Sequence, residues 1–158
     1  MGKLAIVILP AVLVMSGIAG AAAQSAPQGE VAKKLFGAWR YVGTWVDGKP
    51  RDRGAHPKGM IYYDPSGYMS AQIAPDRRVS MAGKEATGDE AKAQLADWVS
   101  YFGRYSIDER AGTVTHHREG SVQPGDMSPL VRRYELKGDR LILRPVGINM
   151  EVVWERLK

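Results

Sequence analysis

The chain is 158 residues long, has no cysteine, and carries 22 Lys and Arg against 17 Asp and Glu, a formal net charge of +5. That length makes one domain able to bury about two-thirds of the surface its unfolded form exposes, and the absence of cysteine excludes a disulfide scaffold. The basic residues alternate with acids instead of forming a run, which points to a solvated surface with room for an anionic ligand and away from nucleic acid.

In chain order, the first segment is residues 1–23. Lys3 is the only charge before Glu30, an apolar run over 4–18 follows it, and Ala21-Ala22-Ala23 fits a small-residue cleavage site. A secretory signal peptide is expected, cleaved near Ala23 so that the exported chain starts near Gln24, secreted or periplasmic. An uncleaved anchor is the alternative, because about 20 apolar residues can span a bilayer. With no cysteine to carry a lipid, no stable membrane anchor is expected on the cleaved chain. Residues 24–34 form a lead-in with a helical turn around Glu30 to Lys34, and residues 35–158 form the folded domain.

Eight stretches then carry strand signals, β-branched or aromatic residues alternating with polar ones: 36–46, 59–63, 68–73, 103–108, 113–119, 131–137, 140–144 and 150–157. A helix interrupts them after the third. Thr87-Gly88-Asp89-Glu90 is a capping box, Leu95, Trp98, Val99 and Phe102 follow at helical spacing, and Gly103 ends the helix. Asp64-Pro65-Ser66-Gly67, Glu109-Arg110-Ala111-Gly112 and Gly138-Asp139 read as tight turns, whereas 47–58, 74–102, 120–130 and 145–149 are long.

Tight and long connections therefore alternate, which in an up-and-down meander puts them at opposite ends. An even strand number lets the first and last strands pair antiparallel and so removes the sheet's edges. The expected fold is all-β, an eight-stranded up-and-down antiparallel barrel with one helix between strands 3 and 4. One end is closed by tight turns and the other open among long loops. A barrel of this size is filled by side chains or holds one small ligand.

Five blocks between Leu35 and Leu157 carry a family likeness: LFGAWRYVGTW, GMIYYDPSGYMSAQI, YFGRYSIDERAGTVTHHREGS, VRRYELKGDRLIL and VVWER. Together they resemble the bacterial and fungal lipocalin-like domain proteins, calycin-type barrels, and Gly37-Ala38-Trp39 matches the G-x-W of that group. The resemblance implies a structural closure in which Arg156 covers Trp39 beside Gly37, a cation–π pair worth about 0.5–2 kcal/mol. The chain departs from true lipocalins in having no clear second lipocalin motif and no disulfide, so their receptor and transport roles do not carry over. The resemblance implies no single biochemical activity.

His116 and His117 are neighbours in a strand, point to opposite faces and cannot share a metal. A four-residue loop at 109–112 sets Ile107 opposite Val114 and Tyr105 opposite His116, so His116 points inward and His117 outward. The same alternation turns Arg118 inward. Across Gly138-Asp139 it sets Leu136 opposite Leu141 and Tyr134 opposite Leu143, with Arg132 on their face. The inward set reads Trp39, Tyr41, Trp45, Met60, Tyr62, Met69, Ile73, Tyr105, His116, Arg118, Arg132, Tyr134, Val152 and Trp154. Apolar walls with a few convergent polar groups suit a ligand pocket, and the candidate ligand-binding residues are Tyr41, Tyr62, Tyr105, His116, Arg118, Arg132, Tyr134 and Trp154. Structural roles stay open for the polar ones: Arg118 bending out into water, Arg132 pairing with Glu119 or Asp126, His116 hydrogen-bonding Tyr105.

The first functional expectation is an exported barrel that binds a small hydrophobic or aromatic ligand with an acidic group. The second is a cofactor-free isomerase, cyclase or hydrolase in which His116 is the acid–base group, assisted by Tyr105 or Tyr134 and an arginine. The third is a structural module of the cell envelope. No cofactor is expected. No metal is expected either, because His56 is the only other histidine and no ligand spacing is present. Ser70, Ser106 and Ser121 lack the surroundings of a nucleophile.

Overall fold

The computed structural model describes residues 27–158, so the signal peptide expected at 1–23 lies outside the described residues. In chain order the elements are α1 (Glu30–Leu35), β1 (Gly37–Val46), β2 (Lys49–Pro50), β3 (Lys58–Tyr63), β4 (Tyr68–Ala74), α2 (Gly88–Leu95), β5 (Val99–Asp108), β6 (Thr113–Ser121), β7 (Leu130–Lys137), β8 (Arg140–Pro145) and β9 (Met150–Arg156). All strand pairings are antiparallel, in the order β2-β1-β3-β4-β5-β6-β7-β8-β9, and β1 also pairs with β9, from Trp39↔Arg156 to Val46↔Met150. That pairing closes an eight-stranded up-and-down barrel, with β2 a two-residue ribbon beside the end of β1.

The three tight turns gather at one end. At the first, the Asp64 carboxylate accepts from the backbone N–H of Ser66 at 2.8 Å, and the Gly67 N–H returns to the Asp64 carbonyl at 3.0 Å. The helix α1 caps this end: Leu35 is fully buried, and the Val31 N–H donates to the Glu109 carboxylate in the second turn at 2.9 Å. The sequence registers at 105–116 and 134–143 are those observed, with Tyr105↔His116, Ile107↔Val114, Leu136↔Leu141 and Tyr134↔Leu143. The core fills from this end with Trp39, Ile61, Tyr63, Tyr105, Val114, His116, Leu141 and Leu143.

Three expectations are corrected. The capping box forms as read, with Thr87 Oγ1 accepting from the Glu90 N–H and Glu90 Oε2 accepting from the Thr87 N–H at 2.7 Å. The helix, however, ends at Leu95, and Asp97 enters the left-handed region at φ +64°. Residues 99–102 belong to β5, where Val99 pairs with Ile73 and Tyr101 with Ala71. Leu95, Trp98, Val99 and Phe102 fit a helical period, but Val99, Tyr101 and Tyr105 fit a strand period equally well. A full strand on β4 satisfies backbone groups that a longer helix would leave without a ladder.

The inward face of β3 is the opposite of the one expected. Tyr63 pairs with Met69 across the Asp64–Gly67 turn, and direct opposition puts both on one face. Ile61 and Tyr63 are therefore buried, whereas Met60 and Tyr62 face out, Tyr62 with 38% of its surface exposed. In β1, a bulge at Val42 shifts the register against β9 between Tyr41 and Gly43. The shift makes Thr44 the next buried residue after Tyr41 and turns Trp45 outward, its ring lying over Gly43, where a Cβ would come within 2.6 Å of it.

Candidate functional site

The closed end holds the expected Trp39, Arg156 and Gly37. The Arg156 guanidinium lies 4.0 Å above the Trp39 ring, and its Nη1 donates to the Phe36 carbonyl at 2.9 Å, its Nη2 to that of Lys34. Trp39 Nε1 donates to the Leu35 carbonyl at 2.8 Å. Gly37 sits between them at φ +104°, where side chains are strained.

Toward the open end the side chains stop filling the barrel and leave a cavity of about 130 Å³. Its walls are Ile61, Ala71, Ile73, Val99, Leu143, Met150 and Val152, and its polar lining is Thr44, Arg51, Arg53, Tyr101, Arg132 and Trp154. An apolar cavity of ~150 Å³ takes one benzene molecule, so this space suits a single ring or a chain of similar bulk.

The cavity's cations come from two elements. Arg132 reaches in from the second residue position after the start of β7, and its Nε is buried without a partner among the described residues. Arg53 comes from the connection between β2 and β3 and is itself only 4% exposed. Its Nη1 donates to the Asp97 carbonyl, its Nε has no partner among the described residues, and burial pulls its pKa below the ordinary arginine value. Trp154 Nε1 is the third buried N–H without a partner on this lining. Tyr41 packs edge-on against Trp154 at 5.5 Å and donates its hydroxyl to Thr44 Oγ1 at 2.8 Å.

Asp97 anchors the two arginines of the β2–β3 connection. Its carboxylate takes Arg51 at 2.7 Å and Arg77 at 2.9 Å while its carbonyl takes Arg53, which ties the β2–β3 connection to the segment entering β5. The Arg51 hydrogen bond is the main influence holding the Asp97 carboxyl below its ordinary range.

His116 stands behind this lining, fully buried between two tyrosines. Tyr63 Oη lies 2.8 Å from its Nε2 and Tyr101 Oη lies 2.9 Å from its Nδ1. Burial, reinforced by the nearby Arg132 and His117, holds its pKa well below the usual histidine value, so the ring is neutral. The expected His116–Tyr105 bond is not formed: the Tyr105 hydroxyl donates to the Asp64 carbonyl at 3.0 Å at the closed end, and burial raises its pKa. Both nitrogens of His116 are engaged by protein and the residue is 0% exposed, so neither His116 nor Tyr105 reaches a molecule in the cavity directly.

The remaining candidates divide. Arg132, Trp154 and, through Trp154 and Thr44, Tyr41 meet at the cavity. Arg118 lies at the mouth and donates through Nη2 to the carbonyls of Asp126 at 2.7 Å and Ser128 at 2.9 Å, so it braces the β6–β7 loop. Glu119, one of the two acids expected to pair with Arg132, pairs instead with Arg104 on the outer face. Tyr134 lies near the closed end, half-buried, its phenol raised first by burial and then by Glu109 and Asp108. Tyr62 is on the outside, with its hydroxyl 3.3 Å from the Asp64 carboxylate. Arg53, Tyr101 and Tyr63 were not singled out from sequence. Tyr101 and Tyr63 carried a usable signal, the two-residue period through Tyr105 and the pairing with Met69; Arg53 lies in a connection without periodicity.

A family model described as a lipocalin-like domain matches residues 36–155. Among solved structures, the crystal structure of the fluorescent protein UnaG, wild type, is similar at 12% identity and a TM-score of 0.36, covering 80% of this chain and 99% of that one. No curated protein matches the chain.

Proposed function

The chain belongs to the lipocalin-like domain family, and from that premise we propose that it is an exported protein whose barrel binds one small, ring-sized acidic molecule. The observation that carries the reading is that three residues lining one cavity with apolar walls, Arg53, Arg132 and Trp154, each keep a buried N–H without a partner among the described residues, at Nε, Nε and Nε1. Leaving such a donor unpaired costs about 1–3 kcal/mol, more when it is charged. A carboxylate offers about four lone-pair sites and a negative charge to two guanidinium groups. The apolar walls then take the ring. Export rests on the apolar N-terminal run and the Ala21-Ala22-Ala23 site.

The test is native mass spectrometry of the protein purified from the medium or periplasm of its own host. The expected result is a polypeptide beginning near Gln24 that carries a small acid released on denaturation. A chain with Met1 intact in the membrane fraction would remove the export reading. A neutral or cationic ligand would remove the acidic one.

A further inference from the structure

We propose that Tyr101 presents its hydroxyl hydrogen to the cavity as a specificity-determining donor, so that the cavity takes single-ring ligands that carry acceptors only, such as an aryl carboxylate. Tyr63 and His116 are the positioning residues behind it. The proposal rests on the cavity-binding reading above and adds the class of ligand that the cavity rejects.

The argument is a count of hydrogens. Tyr63, His116 and Tyr101 form a chain of three groups joined by two hydrogen bonds, 2.8 Å at Nε2 and 2.9 Å at Nδ1. A neutral imidazole has one N–H and one lone pair, and each phenol has one O–H, so three hydrogens serve two bonds. One hydroxyl hydrogen is always left over, and the tautomer of His116 decides which. With the proton on Nε2, the ring donates to Tyr63 and accepts from Tyr101, and the spare hydrogen belongs to Tyr63. Tyr63 is 0% exposed and its hydroxyl has no other acceptor among the described residues. A donor stranded there would bear its full desolvation cost. With the proton on Nδ1, the ring donates to Tyr101 and accepts from Tyr63, and the spare hydrogen belongs to Tyr101. Tyr101 lines the cavity, so its hydrogen has somewhere to go. Burial therefore selects the Nδ1–H tautomer. The ring stays neutral for this count because burial and Arg132 both oppose its protonation.

Tyr101, Trp154, Arg132 and Arg53 line the cavity from separate elements, each carrying a donor, and no carboxylate or amide side chain lines it. A carboxylate meets them with lone pairs alone. An amine, or the N–H of an amide, brings a donor against donors and leaves both sides unpaired, which is how a polar site rejects an analogue.

The experiment uses the folded chain labelled with ¹⁵N at histidine, and benzoate, benzamide and benzylamine as probes. The ring-nitrogen shifts of His116 are expected to show a protonated Nδ1 and a lone pair on Nε2; the reverse assignment overturns the proposal. Benzoate is expected to bind more tightly than benzamide, with benzylamine weakest, and Tyr101→Phe is expected to lose roughly ten- to a hundredfold in affinity for benzoate, the effect of one hydrogen bond to a charged acceptor. If benzoate binds and Tyr101→Phe binds it equally well, the role of Tyr101 is overturned while the arginine reading stands. If benzoate does not bind the unmodified chain, the acid-binding reading falls, and the nitrogen shifts alone decide where the Tyr101 hydrogen points.

Discussion

At the closed end the large polar side chains find acceptors: Trp39 Nε1 on Leu35, and Arg156 on Phe36 and Lys34. In the open half, the Nε atoms of Arg53, Arg118 and Arg132 and the Nε1 atoms of Trp98 and Trp154 are buried with no partner among the described residues. The same residue types, Arg and Trp, thus appear in both halves, but in the open half each keeps one buried N–H without a partner, even where other nitrogens of the group are bonded, as in Arg53 and Arg118. One arrangement is complete within the protein and lowers its free energy. On the proposed function, the other is completed by a ligand with lone pairs, and its cost is recovered on binding. That reading separates stability from recognition along the barrel axis, so substitutions at the two ends should act on different measurements.

The largest expected effect is at the closed end. Trp39 is fully buried, and Trp39→Ala should destabilise by about 3–5 kcal/mol in chemical denaturation, as large-to-small aromatic changes in cores do. Arg156→Ala should cost less. The double variant should lose less than the sum of the two, because a guanidinium 4.0 Å from the ring is coupled to it. Additive losses would break the comparison by showing that the closure is two independent contacts.

At the open end the sign should differ between measurements. Arg132→Ala removes a guanidinium whose buried Nε has no partner among the described residues, so it should leave stability unchanged or raise it. The same substitution should weaken binding of benzoate by about 1.5–3 kcal/mol, read by calorimetric titration. A loss of stability with no loss of affinity would make Arg132 part of the scaffold after all.

How much of this was legible in the sequence follows the same division. Barrel, strand order and the β5–β6 and β7–β8 registers could be read because short hairpins fix pairing locally, and alternation then carries each residue to a face. The pair Trp39 and Arg156 was implied by the family resemblance, through the G-x-W at Gly37-Ala38-Trp39. The errors arose where a local pattern was open to two readings. Residues 95–102 fit two periods, the bulge at Val42 moves Trp45 across the sheet, and the alternation in β3 fits either face until the hairpin pairing sets Tyr63 opposite Met69. Of the site, Arg132 and Trp154 lay on strands and were found. Arg53 was not, because it enters from a connection whose path is set by Asp97, far along the chain. A contact of that kind leaves no periodic trace.

The smallest expected effect concerns α2, which stands over the mouth and buries none of its side chains. Thr87→Ala removes one half of the capping box, a change that typically costs a helix about 1 kcal/mol. In the closed half such a cost would register as lost global stability, because every element there is packed on the core. In α2 it should not. A helix with no buried side chain opens locally, at less free energy than the barrel needs to unfold, so the substitution lowers a local barrier and leaves the global one in place. The expected outcome is faster amide hydrogen exchange in Gly88–Leu95, by roughly fivefold for about 1 kcal/mol, with the denaturation midpoint unmoved. Glu90 would still hold the segment before the helix by accepting from the Ala82 N–H at 2.8 Å. A midpoint that falls with the exchange rates would mean that α2 unfolds together with the barrel, and the mouth would then belong to the same cooperative unit as the closed end.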